Sequence, residues 1–212
     1  NGCQIFSDTS FDVAAGTCMF VKGHNGSGKT TLLRLLAGFL PIQEGSVSIS
    51  GTNISQNHDF IAQNVDYVGH LNAVKKQLSA WDNLRLWNNL SEPGNSVDLV
   101  KNFNDTMIID DFKNHKLSFC SEGQIRRVAL SRLNTSKKRL WLLDEPTVSL
   151  DENSADDFVQ MVETHCRTGG MAVIATHSDI YIPNIELQLI EMKRPSKQKR
   201  SAPIDPFLIG DW

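Results

Sequence analysis

Short continuous apolar runs alternate along this chain with stretches of helical periodicity. Cys18-Met19-Phe20-Val21, Leu140-Trp141-Leu142-Leu143 and Met171-Ala172-Val173-Ile174-Ala175 have the length and unbroken hydrophobicity of strands buried on both faces, as in a parallel sheet. Gln4 to Phe11 reads as an edge strand, with Ala14-Ala15-Gly16 turning into the first buried run. Gly45 to Gly51 alternates polar and apolar between glycines, and Val65 to His70 reads as a strand running into a loop. Helical periodicity covers Thr31 to Ala37, where Gly38 and Pro41 end it. It returns with Leu78, Trp81, Leu84, Leu86 and Trp87, breaks at Ser91-Glu92-Pro93-Gly94-Asn95, and resumes from Ser121 to Leu133. The pattern predicts a parallel α/β core with a helical insertion over about residues 71–133.

Composition narrows the class. The 212 residues are 40% hydrophobic and 21% charged, which suits one globular domain spanning residues 1–212. A formal net charge of -3 gives no whole-molecule attraction to nucleic acid or anionic lipid, so no nucleic-acid partner is expected. The 4 cysteines form no C-x-x-C pair and read as reduced thiols in a cytosol-like compartment. No apolar stretch approaches a membrane span and no signal peptide opens the chain, so membrane association is expected to come through a partner. The basic run Lys193 to Arg200 reads as a solvated tail within residues 192–212, because Pro195 and Ser196 break any amphipathic face. Pro206 to Trp212 is apolar enough to dock.

The chemistry gathers around Gly23-His24-Asn25-Gly26-Ser27-Gly28-Lys29-Thr30-Thr31, which fits the phosphate-binding loop G-x-x-x-x-G-K-[ST] between a buried strand and a helix. Gly23, Gly26 and Gly28 let the backbone curl with its N–H groups inward. The helix that follows aims its positive end at the same spot. Lys29 is expected to reach the β- and γ-phosphates, and Thr30 to offer its hydroxyl to Mg²⁺. Asp144 and Glu145 end a buried strand, where α/β sheets gather ligands. Asp144 suits the Mg²⁺ shell, and Glu145 suits positioning the water that attacks the γ-phosphate. Ser121-Glu122-Gly123-Gln124 reads first as a capping box, Ser121 the N-cap and Gln124 reaching back, and also as an anion-binding helix start.

These residues carry a resemblance. Cys120-Ser121-Glu122-Gly123-Gln124 resembles the ABC signature sequence, Val148-Ser149-Leu150-Asp151 the family's D-loop, and Ala175-Thr176-His177 its switch histidine, all in family order. Gly69-His70 with the following lysines, Leu78-Ser79-Ala80-Trp81-Asp82-Asn83-Leu84 and Gln124 to Leu133 are similar to the cytochrome c maturation ATPases, subunits of the haem exporter. The resemblance covers Ile5 to about Leu189. It implies a P-loop ABC nucleotide-binding domain with antiparallel edge strands beside its parallel core. It also implies ATP and Mg²⁺ as ligands, and a γ-phosphate contact by His177. His70 would stand at the Q-loop position and, with Gln124 and Asp151, bind nucleotide, while Ser121 and Gly123 would complete the site of the opposite subunit in a head-to-tail ATP-sandwich homodimer. The implied partners are the integral membrane subunits of the cytochrome c maturation complex. The implied place is peripheral, on the cytoplasmic face of a bacterial inner membrane or the matrix face of the mitochondrial one.

Departures accompany it. His70 replaces the usual Q-loop glutamine, a mark of the subfamily, and Cys120 replaces leucine as a packing choice. Glu122 replaces a small residue. Facing a γ-phosphate it would oppose closure, whereas pointing outward it would favour the helix dipole. Phe6 and Phe11 read as core rather than adenine platform. Trp81 and Trp87 suit either the core or the groove for a membrane subunit. A soluble ABC ATPase of DNA repair or translation is the alternative, disfavoured by one short domain; an exporter of another substrate is a further one. A binding module without turnover is disfavoured because Lys29, Asp144, Glu145 and His177 are all present, and a GTPase by the lack of Asn-Lys-x-Asp.

Overall fold

The computed structural model describes residues 5–6, 9–55, 57–91 and 109–192. The buried runs become strands of a five-stranded, all-parallel sheet of order β4-β5-β6-β1-β7. The strands are β1 (Thr17–Lys22), β4 (Val65–Val68), β5 (Leu140–Asp144), β6 (Met171–Ala175) and β7 (Glu186–Glu191). Helices α1 (Lys29–Leu36), α2 (His58–Asn64), α3 (Ala80–Ser91), α4 (Glu122–Ser131) and α5 (Glu152–Arg167) fill the connections.

Alternation along each central strand divides the core. Cys18, Phe20, Trp141, Leu143, Ala172 and Ile174 meet Leu130 of α4 and Phe158, Met161 and Val162 of α5. The intervening Met19, Val21, Leu140, Leu142, Val173 and Ala175 meet Leu32, Leu33 and Leu36 of α1. Each large apolar side chain so buried contributes about 1.5–3 kcal/mol, so the sheet is held rigidly from both sides. A third cluster, separate from the sheet, joins Ala80 and Leu84 of α3 to Ile109, Phe112, Leu117, Ile125 and Val128. It is the packing centre of the expected helical insertion, and Trp81, Trp87 and Cys120 pack partly buried against it.

Three expectations change. The described residues of the segment 4–11 form no strand; both edges of β1 are taken by β6 and β7, and Phe6 and Phe11 instead pack against the α1-side core. Within Gly45–Gly51 only Ser48–Ile49 (β2) pairs, antiparallel with Thr52–Asn53 (β3). Ser50 and Gly51 between them have φ of 51° and 79°, the positive values a two-residue hairpin loop needs. This pair forms a small sheet of its own. Strand β7 was not expected. Its neighbour Met192 is buried rather than part of a solvated tail, and donates its backbone N–H to Lys22 O at 2.7 Å. The basic run from Lys193, the apolar end at Trp212 and Glu92 to Asn95 lie outside the described residues.

Candidate nucleotide-binding site

Strand β1 delivers the chain to the loop Gly23–Gly28, and α1 leaves it at Lys29. Gly23 has φ 147°, and a Cβ there would lie 2.6 Å from Met192 O and 2.7 Å from Ser27 Oγ. Only glycine fits that turn. Gly28, φ 99°, caps α1 without any side-chain hydrogen bond, so the first-turn N–H groups are left to a ligand rather than to a serine or aspartate. Ser27 is buried, and its Oγ has no partner among the described residues. Asn25 and Gly26 are exposed at the rim, and Thr31 is half-buried in the first turn of α1.

Lys29, also buried, donates to Gly23 O at 2.8 Å, and its Nζ stands 2.9 Å from His177 Nε2. Burial pulls its pKa down, while Glu145 and then Asp144 pull it back up. Thr30 Oγ1 donates to Asp144 Oδ1 at 3.2 Å. Asp144 is 2% exposed, and its other oxygen, Oδ2, has no partner among the described residues. Burial raises its pKa, the Thr30 hydrogen bond lowers it, and the Glu145 charge raises it further. A carboxylate so placed calls for a cation.

Glu145 follows with φ 46°, a conformation that costs a non-glycine residue roughly 1 kcal/mol or more. Its N–H donates to Ala175 O at 2.8 Å, and its carboxylate accepts from His177 N at 3.3 Å. His177 Nε2 lies 3.6 Å from Glu145 Oε1. Lys29, Thr30, Asp144, Glu145 and His177 thus converge at the C-terminal ends of β1, β5 and β6, the mouth of a parallel sheet.

The other expected residues form a second group at the start of α4 and the turn after β5. Ser121 Oγ accepts from Gln124 N at 3.2 Å, and Gln124 Oε1 accepts from Ser121 N at 2.8 Å, completing the capping box. A Cβ on Gly123 would sit 2.5 Å from Ser149 O. Asp151 caps α5 by accepting from Ser154 N at 2.8 Å, and the Ser154 hydroxyl and then this backbone N–H hold its pKa below the usual carboxylate range. Glu122 is exposed and paired with Lys76 at 3.5 Å, the outward orientation. His70 is exposed just beyond β4, close enough for its charge to favour ionised Asp144.

One residue of the Gln124 to Leu133 stretch has contacts that the sequence does not announce. Arg126, on α4, is 3% exposed and donates to the carbonyls of Gly69, Asp144, Glu145 and Pro146 and to Asn72 Oδ1, at 2.8–3.0 Å. Its signal was an arginine within the buried face formed by Ile125, Val128, Ala129 and Leu130.

This arrangement has known counterparts. The ABC transporter family profile matches residues 6–148. The chain is 39% identical over 188 residues to the cytochrome c biogenesis ATP-binding export protein CcmA of Mesorhizobium japonicum, covering 89% of this chain and 92% of that one. It is 41% identical to the protein of the same name from Roseobacter denitrificans, covering 84% and 80%. Among solved structures it is similar to a dimeric ATP-binding cassette in a post-hydrolysis state bound to ADP and Pi. The TM-score is 0.76 at 22% identity, covering 93% of this chain and 92% of that one, a likeness of fold. The chain is an ABC-type ATPase: it belongs to the ABC transporter family and, within it, to the cytochrome c biogenesis ATP-binding export proteins.

Proposed function

We propose that this chain is the ATP-hydrolysing subunit of a membrane export complex in cytochrome c biogenesis, coupling hydrolysis to haem export or haem-chaperone release. The observation that carries the reading is the convergence of Lys29, Asp144, Glu145 and His177 on one phosphate loop. Gly23, Asn25, Gly26, Ser27, Gly28, Thr30 and Thr31 supply the loop that cradles the phosphates, and Lys29 moves from the Gly23 carbonyl to the β- and γ-phosphates. Mg²⁺ fits the residues present, because Thr30 and a buried Asp144 with an unpartnered oxygen offer it hard oxygen donors. When bound, it neutralises phosphate charge. Glu145 positions the attacking water, and His177, which touches both Glu145 and Lys29, contacts the γ-phosphate.

His70, Gln124 and Asp151 line the nucleotide site, and Ser121 and Gly123 complete the site of the opposite subunit in a head-to-tail dimer of two such subunits. Among the described residues no helix is long and apolar enough to cross a membrane. As the names of its export-protein relatives suggest, the subunit works with integral membrane partners, peripheral on the cytoplasmic face of the inner membrane.

Glu145→Gln tests this. ATP binding should persist while hydrolysis falls by roughly a hundredfold or more, the loss of a positioned base. Scattering should find that variant dimeric with ATP and monomeric without. Lys29→Ala should weaken binding instead. Near wild-type turnover by Glu145→Gln would remove the catalytic reading, and one mass in both states would leave Ser121 as a helix cap alone.

A further inference from the structure

We propose that Arg126 is a positioning residue for hydrolysis, clamping the main chain around Glu145 to the loop that carries His70. The inference rests on the role given to Glu145 above. The guanidinium fork reaches both segments at once. On one side Nη2 donates to Asp144 O and Glu145 O, each at 2.9 Å, and Nε to Pro146 O at 3.0 Å. On the other Nη1 donates to Gly69 O at 2.8 Å and Asn72 Oδ1 at 2.9 Å.

The geometry suits this purpose better than simple charge burial. All five acceptors are uncharged, so the cation is held by oriented carbonyls, and each carbonyl by the cation. Three successive carbonyls, those of Asp144, Glu145 and Pro146, are fixed in direction, and this sets the peptide planes on either side of Glu145. Its left-handed φ of 46° persists only while its surroundings hold it. Glu145 O also accepts from Val148 N at 3.3 Å, so the clamp extends into the turn that leads to Ser149 and Asp151. Arg126 does not point at the phosphate loop. Its helix α4 is capped by Ser121, so one helix carries both the capping box and the clamp.

Arg126→Lys keeps the cation but cannot fork to both segments, and Arg126→Gln removes the charge. For each, turnover, affinity for a fluorescent ATP analogue, melting temperature and amide exchange over residues 69–72 and 144–150 should be measured beside Glu145→Gln. The expected result is a fall in kcat on the order of 10–100-fold, as a misplacement of about 1 Å can cause. Analogue affinity should stay near wild type, because the phosphate loop is untouched. Exchange at Val148 should quicken, and Arg126→Ala should regain turnover with added guanidinium but not with ammonium. Wild-type turnover in both variants while Glu145→Gln is inactive overturns the clamp. So does a parallel loss of turnover, affinity and melting temperature without guanidinium rescue, which is the mark of a merely structural residue. If Glu145→Gln itself turns over normally, it is the function reading that fails.

Discussion

Replacing Gly123 by alanine adds one methyl group at the second residue of α4, and two opposing effects can be weighed. Alanine is the better helix former by about 0.5–1 kcal/mol, since glycine loses more backbone freedom on folding. The new Cβ, however, would lie 2.5 Å from Ser149 O, where an ordinary C···O contact needs about 3.3–3.6 Å. The obstacle is backbone, so no side chain can swing clear. Ser149 sits at φ 68° in a turn held by Leu150 N to Thr147 O at 3.2 Å and anchored by the Asp151 cap. Either α4 or that turn must shift by about 1 Å, at the roughly 1–3 kcal/mol typical of overpacking. Repulsion outweighs propensity by about 1 kcal/mol, a fall in Tm of roughly 2–4 °C for a chain this size. Turnover should suffer far more, on the order of a hundredfold, because the turn follows directly on Glu145. Calorimetry and steady-state ATPase on Gly123→Ala check both numbers. A raised Tm with unchanged turnover would refute the reasoning, since the helix gain would then stand unopposed.

Asp144 gives a pH prediction. Burial raises its folded pKa above the unfolded value, so its stabilising contribution is present below the ordinary carboxylate range and lost as pH rises through the folded pKa. Without nucleotide, Asp144→Asn should therefore melt above wild type at neutral pH, with the advantage vanishing in acid. MgATP should raise wild type more than the variant, and a variant that melts lower at neutral pH contradicts the sign. Trp81 and Trp87 pack partly buried against the insertion cluster, with Arg132 5.2 Å above the Trp87 ring. Each alanine variant should cost roughly 2 kcal/mol, less than a fully buried tryptophan. An unchanged Tm with lost recovery alongside solubilised membrane partners would make them docking residues instead.

The phosphate loop, the buried strands and the acidic pair were legible because each is a local pattern with a local cause: glycines that permit a turn, or apolar runs that demand cover. Ser121 and Gln124 were readable as a box for the same reason. Strand β7 was missed although Glu186-Leu187-Gln188-Leu189-Ile190-Glu191 alternates, because its exposed face leaves it polar beside the buried runs. The expected strand from Gln4 to Phe11 was over-read: Phe6 and Phe11 pack on α1-side core residues, and the described residues of the segment form no strand. The contacts of Arg126 were not legible for a deeper reason. Apart from Asn72 Oδ1 its acceptors are main-chain oxygens, such as those of Pro146 and Gly69, 20 and 57 residues away, and a backbone acceptor leaves no trace in the side-chain sequence.

The place of β1 in the sheet bears on how the molecule is made. Among the described residues its hydrogen-bonded neighbours are β6, paired through Cys18 to Ala172, and β7, paired through Thr17 to Glu186. A ribosome emits β1 some 150 residues or more before either partner. Until then the strand that aims the phosphate loop is an unpaired apolar segment, a natural client for a holding chaperone. Pairings of such sequence separation are slow to close. The sheet that aims the phosphate loop is therefore complete only once β6 and β7 have docked on either side of β1.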